Sequence, residues 1–158
     1  MDTQTVLLVH VAVSFIALPL GLVAVGAYFS PTPAYWTRWF LAGAIATVVT
    51  GFLFPITSLT PATAVGIVAS LVLLAMAAIH YGLGARGIWK QIYAIGMVIN
   101  AYFLAFVLIA QSFLKVPPLK AIAPTGTELP FVIAQVILLA AFVWLGLRTW
   151  RQAGKSTI

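Results

Sequence analysis

Cysteine is absent from the sequence, which removes disulfides, iron–sulfur clusters, thiolate zinc sites and covalently attached c-type haem from consideration. Acidic residues are nearly absent as well, with Asp2 and Glu128 the only two. Neighbouring carboxylates for general acid–base work are therefore missing, and so is a cysteine nucleophile. Charged side chains make up 6% of the chain, where soluble domains carry roughly 25%. With 63% hydrophobic residues, a soluble core would have no surface to dissolve it. The charge balance is basic, at +6, but the eight Lys and Arg are scattered singly instead of gathering on one face, so no nucleic-acid partner is expected.

What the chain does contain is five apolar stretches free of charged side chains, at residues 6–29, 39–56, 62–83, 92–113 and 131–147. Each is near the roughly 20 residues with which a helix crosses ~30 Å of hydrocarbon. The expected fold is all-α, a polytopic transmembrane helical bundle in one domain over residues 1–158, with the lipid bilayer as its surroundings. The first stretch is too long for the apolar region of a signal peptide and follows Asp2 rather than a basic segment, so it is expected to remain as a helix. Cytoplasmic loops carry the Lys and Arg excess. An N-out, C-in orientation places Arg38, Arg86, Lys90, Arg148, Arg151 and Lys155 inside, and Lys115, Lys120 and both acids outside. All five tryptophans, Trp36, Trp39, Trp89, Trp144 and Trp150, then fall at the inner interface, where indole is favoured.

No internal repeat is visible, and five helices do not divide into the inverted halves common in transporters. Ser30-Pro31-Thr32-Pro33 breaks the chain after the first stretch, and Thr60-Pro61 supplies an N-cap and a first-turn proline for the third. Pro19 is expected to kink the first helix. Small residues recur every four positions at Gly43, Thr47 and Gly51, and again at Ala62, Gly66 and Ser70. Such ridges allow backbones to approach in lipid, either within the bundle or across a homo-oligomer. One connection is long, Lys115 to Pro130, stiffened by four prolines, with a short interfacial helix expected over Pro118 to Ala123. It is either a lid or partner surface, or a plain link between helices that are not neighbours.

Polar groups in hydrocarbon are costly and so mark candidate sites. Those in the five stretches include His10, Ser14, Thr47, Thr50, Ser70, His80, Tyr81, Asn100, Tyr102, Gln111 and Gln135, with no carboxylate or ammonium among them. That argues against an ion-coupled carrier. Two histidines invite a haem, but His10 and His80 fall near opposite membrane faces, roughly 15 to 20 Å apart in depth. Axial imidazoles on one iron lie only about 4 Å apart. His10 paired across a dimer, or His80 with Met97 or Met76, remains open for a metal. In the outer half, Asn100 and Gln111 are eleven residues apart, three turns, and share one helix face. Gln135 lies about as deep as Gln111, and His10 and Ser14 face the same leaflet. His10, Ser14, Gln111 and Gln135 together, with Asn100 deeper, make a candidate pocket for a small amphipathic ligand such as a quinone headgroup, lipid or isoprenoid. The plain alternative is that the amides only bond one helix to another.

The run Thr50-Gly51-Phe52-Leu53-Phe54-Pro55, then Lys115-Val116-Pro117, Leu119-Lys120-Ala121-Ile122-Ala123-Pro124-Thr125, Pro130-Phe131 and Gln135, resembles an uncharacterised group of small bacterial multi-pass inner-membrane proteins. The resemblance implies a bacterial inner-membrane location and brings no established activity. Very distantly the layout is similar to membrane cytochromes of the b561 kind, which are helical haem proteins. Where that set often has a histidine beside the basic residue opening the second helix, this chain reads Tyr35-Trp36-Thr37-Arg38-Trp39. Three functions follow as expectations: a non-catalytic bundle holding a small hydrophobic ligand or membrane partner, a haem- or quinone-linked redox protein, and an accessory subunit of a larger membrane complex.

Overall fold

The computed structural model describes residues 2–30, 34–54, 61–84 and 86–155, and side chains there other than those of Thr3 and Pro61. Every regular element in this set is helical: α1 (Thr3–Gly26), α2 (Tyr35–Phe52), α3 (Pro61–Ala78), α4 (Ile88–Lys115), the short α5 (Pro117–Ile122) and α6 (Leu129–Lys155). The break at Pro31 to Pro33 and the Thr60 cap lie outside the described residues. α1 runs continuously through Pro19, whose ring is exposed. At its far end α3 loosens into one π turn, Ile79–Leu83. Gly84 and Gly87, both with positive φ (69° and 53°), then reverse the chain into α4.

Among the described residues four segments are long and apolar enough to cross a membrane: Gln4–Gly26, Ala62–Leu83, Ile88–Lys115 and Leu129–Lys155. α2 is not among them, because its opening turn carries Tyr35, Trp36, Arg38 and Trp39. The apolar stretches understate α4, which runs on past Lys90 at one end and to Lys115 at the other, and α6, which continues from Arg148 to Lys155.

α4 is the centre of the bundle and packs against α1, α3 and α6. Its buried residues Ala94, Met97, Val98, Ala101 and Ala105 follow helical spacing along one side, and three of them are alanines that admit close neighbours. α1 and α2 form an antiparallel pair. At their crossing a Cβ on Gly43 would stand 3.0 Å from Ala17 Cβ, and nearer the other end the fully buried Phe40 ring lies over Gly21. Met76 of α3 seats on Gly96 of α4 in the same manner. Across α4, the α6 contact is aromatic, with Tyr102 on Phe142 at 5.6 Å and Phe113 on Phe131 at 5.5 Å. The outer faces of these helices bear large exposed apolar side chains, Leu8, Leu74, Leu129 and Ile137 among them, each above 60% exposed. Such a surface suits lipid and not water.

This antiparallel arrangement segregates charge. One end of the bundle gathers the start of α1, the end of α2, the starts of α3 and α6 and the end of α4, and with them Asp2, Lys115, Lys120 and Glu128. Arg38, Arg86, Lys90, Arg148, Arg151 and Lys155 belong to the other end, where Arg148 stacks on Trp144 at 4.5 Å.

Candidate ligand cavity

At the Lys115 end the first four helices do not close on one another. They surround a cavity of about 540 Å³, within the range of small-molecule sites. The α3 wall explains the opening. Ala62, Gly66 and Ala69 face the space, and among the described residues a Cβ on Gly66 would meet only Phe52 Cζ, at 4.0 Å. Of this second small-residue ridge Ala62 and Gly66 therefore face the cavity and Ser70 does not, while on α2 Gly43 seats α1 and Thr47 and Gly51 line the cavity. Opposite it α4 contributes an apolar strip, Phe103, Leu104, Val107 and Leu108, bracketed by Asn100 on one side and Gln111 on the other.

His10 enters from α1. Its Nδ1 lies 2.9 Å from Thr50 Oγ1, and its ring meets the Phe54 ring edge-on at 5.6 Å. The Thr50 hydroxyl has one hydrogen, directed to the carbonyls of Ala46 (2.7 Å) and Thr47 (3.1 Å) on its own helix. With that hydrogen engaged, the network assigns Nδ1 as the donor in the His10–Thr50 bond, and in this tautomer Nε2 of the neutral ring is an acceptor. Gly51 lies beside the ring, where a Cβ would make ordinary contact with His10 Cε1 at 3.4 Å. Ser14, one turn deeper, donates back to the His10 carbonyl at 2.7 Å, leaving its oxygen lone pairs to the cavity it lines.

Asn100 is 3% exposed and donates its amide to the Gly96 carbonyl (3.0 Å) and Met76 Sδ (3.6 Å). Its oxygen has no donor among the described residues. Gln111 has no hydrogen-bond partner among them at all, and the buried Thr47 hydroxyl, also in the lining, is unpartnered. Ser112 is satisfied within α4 by the Leu108 carbonyl at 2.8 Å. Lys115 and Val116 complete the rim, so the mouth carries an ammonium while no carboxylate enters the lining. α5 and the turn at residues 123–128 do not line the cavity.

The structure thus brings His10, Ser14, Asn100 and Gln111 into one cavity. Gln135 is elsewhere: it lies on α6, on the opposite flank of α4, and donates to the Phe106 carbonyl at 3.2 Å, with its own oxygen buried and unpartnered. Thr50, which orients His10, and Lys115 complete the constellation without having been singled out for it. Their signal was depth: Thr50 ends α2 at the level where α1 presents His10. His80 sits at the other end of the bundle, exposed, with Tyr81 (4.7 Å) and Tyr93 (6.1 Å) around its ring. Met97 is fully buried in the core and Met76 is occupied by Asn100. Among the described residues no three of the metal-binding types His, Cys, Asp and Glu gather together. Compared with protein-family models, curated proteins and solved structures, the chain matches none of them, so its function is read from this cavity.

Proposed function

We propose that the protein is a five-span bacterial inner-membrane protein, N-out and C-in, whose outer-leaflet cavity binds one small amphipathic hydrophobic molecule of the quinone, lipid or isoprenoid kind. The role is one of binding, with no bond made or broken. The observation that carries the reading is unspent hydrogen-bonding capacity inside an apolar cavity of about 540 Å³: His10 Nε2, the Thr47 hydroxyl, the Asn100 oxygen and the whole Gln111 amide. Of these the Thr47 hydroxyl is fully buried, and leaving such a group without a partner costs about 1 to 3 kcal/mol; a ligand bearing a few polar atoms on an apolar body removes that cost and partners the groups that face the cavity. Gln135 supplies the internal contrast. It ties α6 to the α4 backbone, as amides do between membrane helices, whereas Gln111 ties nothing.

The segregation of six basic residues from Lys115 and Lys120 supports the orientation. The 18 residues of α2 span about 27 Å at 1.5 Å per residue, and its antiparallel packing on α1 supports its being the fifth span. The test is thermal unfolding in detergent with added ubiquinone or prenyl alcohol of graded chain length. Saturation at 100 times Kd adds about 2.7 kcal/mol of stability to the wild type. His10→Ala and Gln111→Leu are expected to lose most of that gain while unfolding normally in its absence. An equal gain in wild type and in both variants would refute the assignment.

A further inference from the structure

Lys115 is the one ammonium in the cavity lining, and it forms no ion pair with the two acids of the chain. Asp2 is bonded to the Thr5 hydroxyl, and Glu128 is taken up by Thr125 and Thr127. Directly below Lys115 on the same helix come Gln111, then the apolar strip Leu108, Val107, Leu104 and Phe103, and only then Asn100. From Lys115 to Leu104 is eleven residues, or roughly 16 Å at 1.5 Å per residue. Half of a ~30 Å hydrocarbon core is about 15 Å, so the strip matches the acyl depth of one leaflet. The polarity is graded along the same axis, with a cation and an amide at the mouth and an apolar shaft below.

On the reading that the cavity binds an amphiphile, we infer that its ligand is a single-chain anionic lipid, seated with its carboxylate or phosphate at Lys115 and Gln111 and its chain along Leu108 to Leu104. The ammonium supplies the opposite charge and Gln111 Nε2 a second donor, a pairing that a neutral headgroup of the same size cannot exploit fully. The bare alternative for Lys115 is a favourable placement at the C-terminal end of the α4 dipole, which would require no ligand.

The experiment uses the full chain in nanodiscs of zwitterionic lipid, with tetradecanoate and tetradecan-1-ol as probes and native mass spectrometry as the readout. Wild type is expected to retain the carboxylate about five- to tenfold more strongly than the alcohol, the range for one charge-assisted contact near a membrane surface. Lys115→Gln should bring the carboxylate down to the level of the alcohol, and Lys115→Arg should restore the preference. Gly66→Leu, which fills the shaft, should abolish retention of both, and Val107→Trp, which fills it from the opposite wall, guards against a misfolded first variant. Equal retention of acid and alcohol by wild type would overturn the anionic assignment and leave the binding reading standing. Retention of neither would overturn both. Retention of the carboxylate by Gly66→Leu and Val107→Trp, still dependent on Lys115, would place the anion at the membrane surface and overturn the seat.

Discussion

Replacing Gly66 by leucine should stabilise the protein, which is the reverse of what its small-residue ridge suggests. If Gly66 were a packing seam, a leucine there would force two helices apart at a cost of about 1 to 3 kcal/mol. Here the added Cβ meets only Phe52 Cζ at 4.0 Å, an ordinary contact, and the rest of the side chain projects into the cavity. Leaving glycine contributes about 0.8 kcal/mol of helix propensity. Filling apolar space contributes about 1 to 2 kcal/mol, and the lost rotamer freedom takes back about 0.5 to 1. The net expectation is a gain of about 1 to 2 kcal/mol. Gly43→Leu is the matched control, because its Cβ would already be 3.0 Å from Ala17 Cβ and 3.3 Å from Ala17 Cα, and backbone cannot step aside. It should lose about 2 to 3 kcal/mol. Unfolding by SDS titration in mixed micelles measures both. Destabilisation of Gly66→Leu comparable to that of Gly43→Leu would mean that α3 is sealed against a neighbour and that the cavity does not exist.

Three further outcomes are expected. Thr50→Val removes the acceptor that assigns the His10 tautomer, so ¹⁵N spectra of the imidazole should change from one tautomer to a mixture, with a stability loss of about 1 kcal/mol. An unchanged spectrum would contradict the assigned hydrogen bond. Although desolvation acts to raise its pKa, Glu128 is held down at about 2, from an ordinary 4.5, by the Thr125 N–H and hydroxyl and the Thr127 N–H. Because the folded value is the lower one, the contribution of this turn to stability is complete above about pH 4.5 and disappears as the pH falls toward 2. Protection of the Thr125 and Thr127 amides from exchange, relative to their intrinsic rates at each pH, should fall over that window in wild type and be low throughout in Glu128→Gln. Finally, the absence of native cysteine makes single-cysteine labelling clean. In intact cells Thr127→Cys should react with a membrane-impermeant maleimide, whereas Gln152→Cys should react only after lysis, and the opposite pattern would reverse the orientation.

Helix content and the polar face of α4 were legible in the sequence because hydrocarbon leaves so few polar residues to consider. Asn100 and Gln111 were placed on one face by their spacing alone, and the structure has both lining the same cavity with His10 and Ser14. Depth located those residues, but depth carries no azimuth, and this is why Gln135 was grouped with them. It is level with Gln111, yet α6 packs on the flank of α4 marked by Tyr102 and Phe106, away from α1 to α3. The ridges at Gly43 and Gly66 look alike in sequence for a related reason. Whether a small residue admits a helix or leaves a space depends on what stands opposite, Ala17 in the first case and an open shaft in the second. The interfacial helix was expected at Pro118 to Ala123 and runs over Pro117–Ile122. The connection around it contributes only its first residues, Lys115 and Val116, to the rim, so it does not roof the cavity.

Under the proposed function, the space among α1 to α4 holds a ligand. A native mass spectrum of the protein released gently from its own membrane tests this most directly. Wild type should carry one discrete adduct per chain, with the mass of a small lipophilic molecule, and Gly66→Leu should lose it at full stability. A bare chain in both proteins, or an adduct retained equally by the filled variant, would contradict the proposed function.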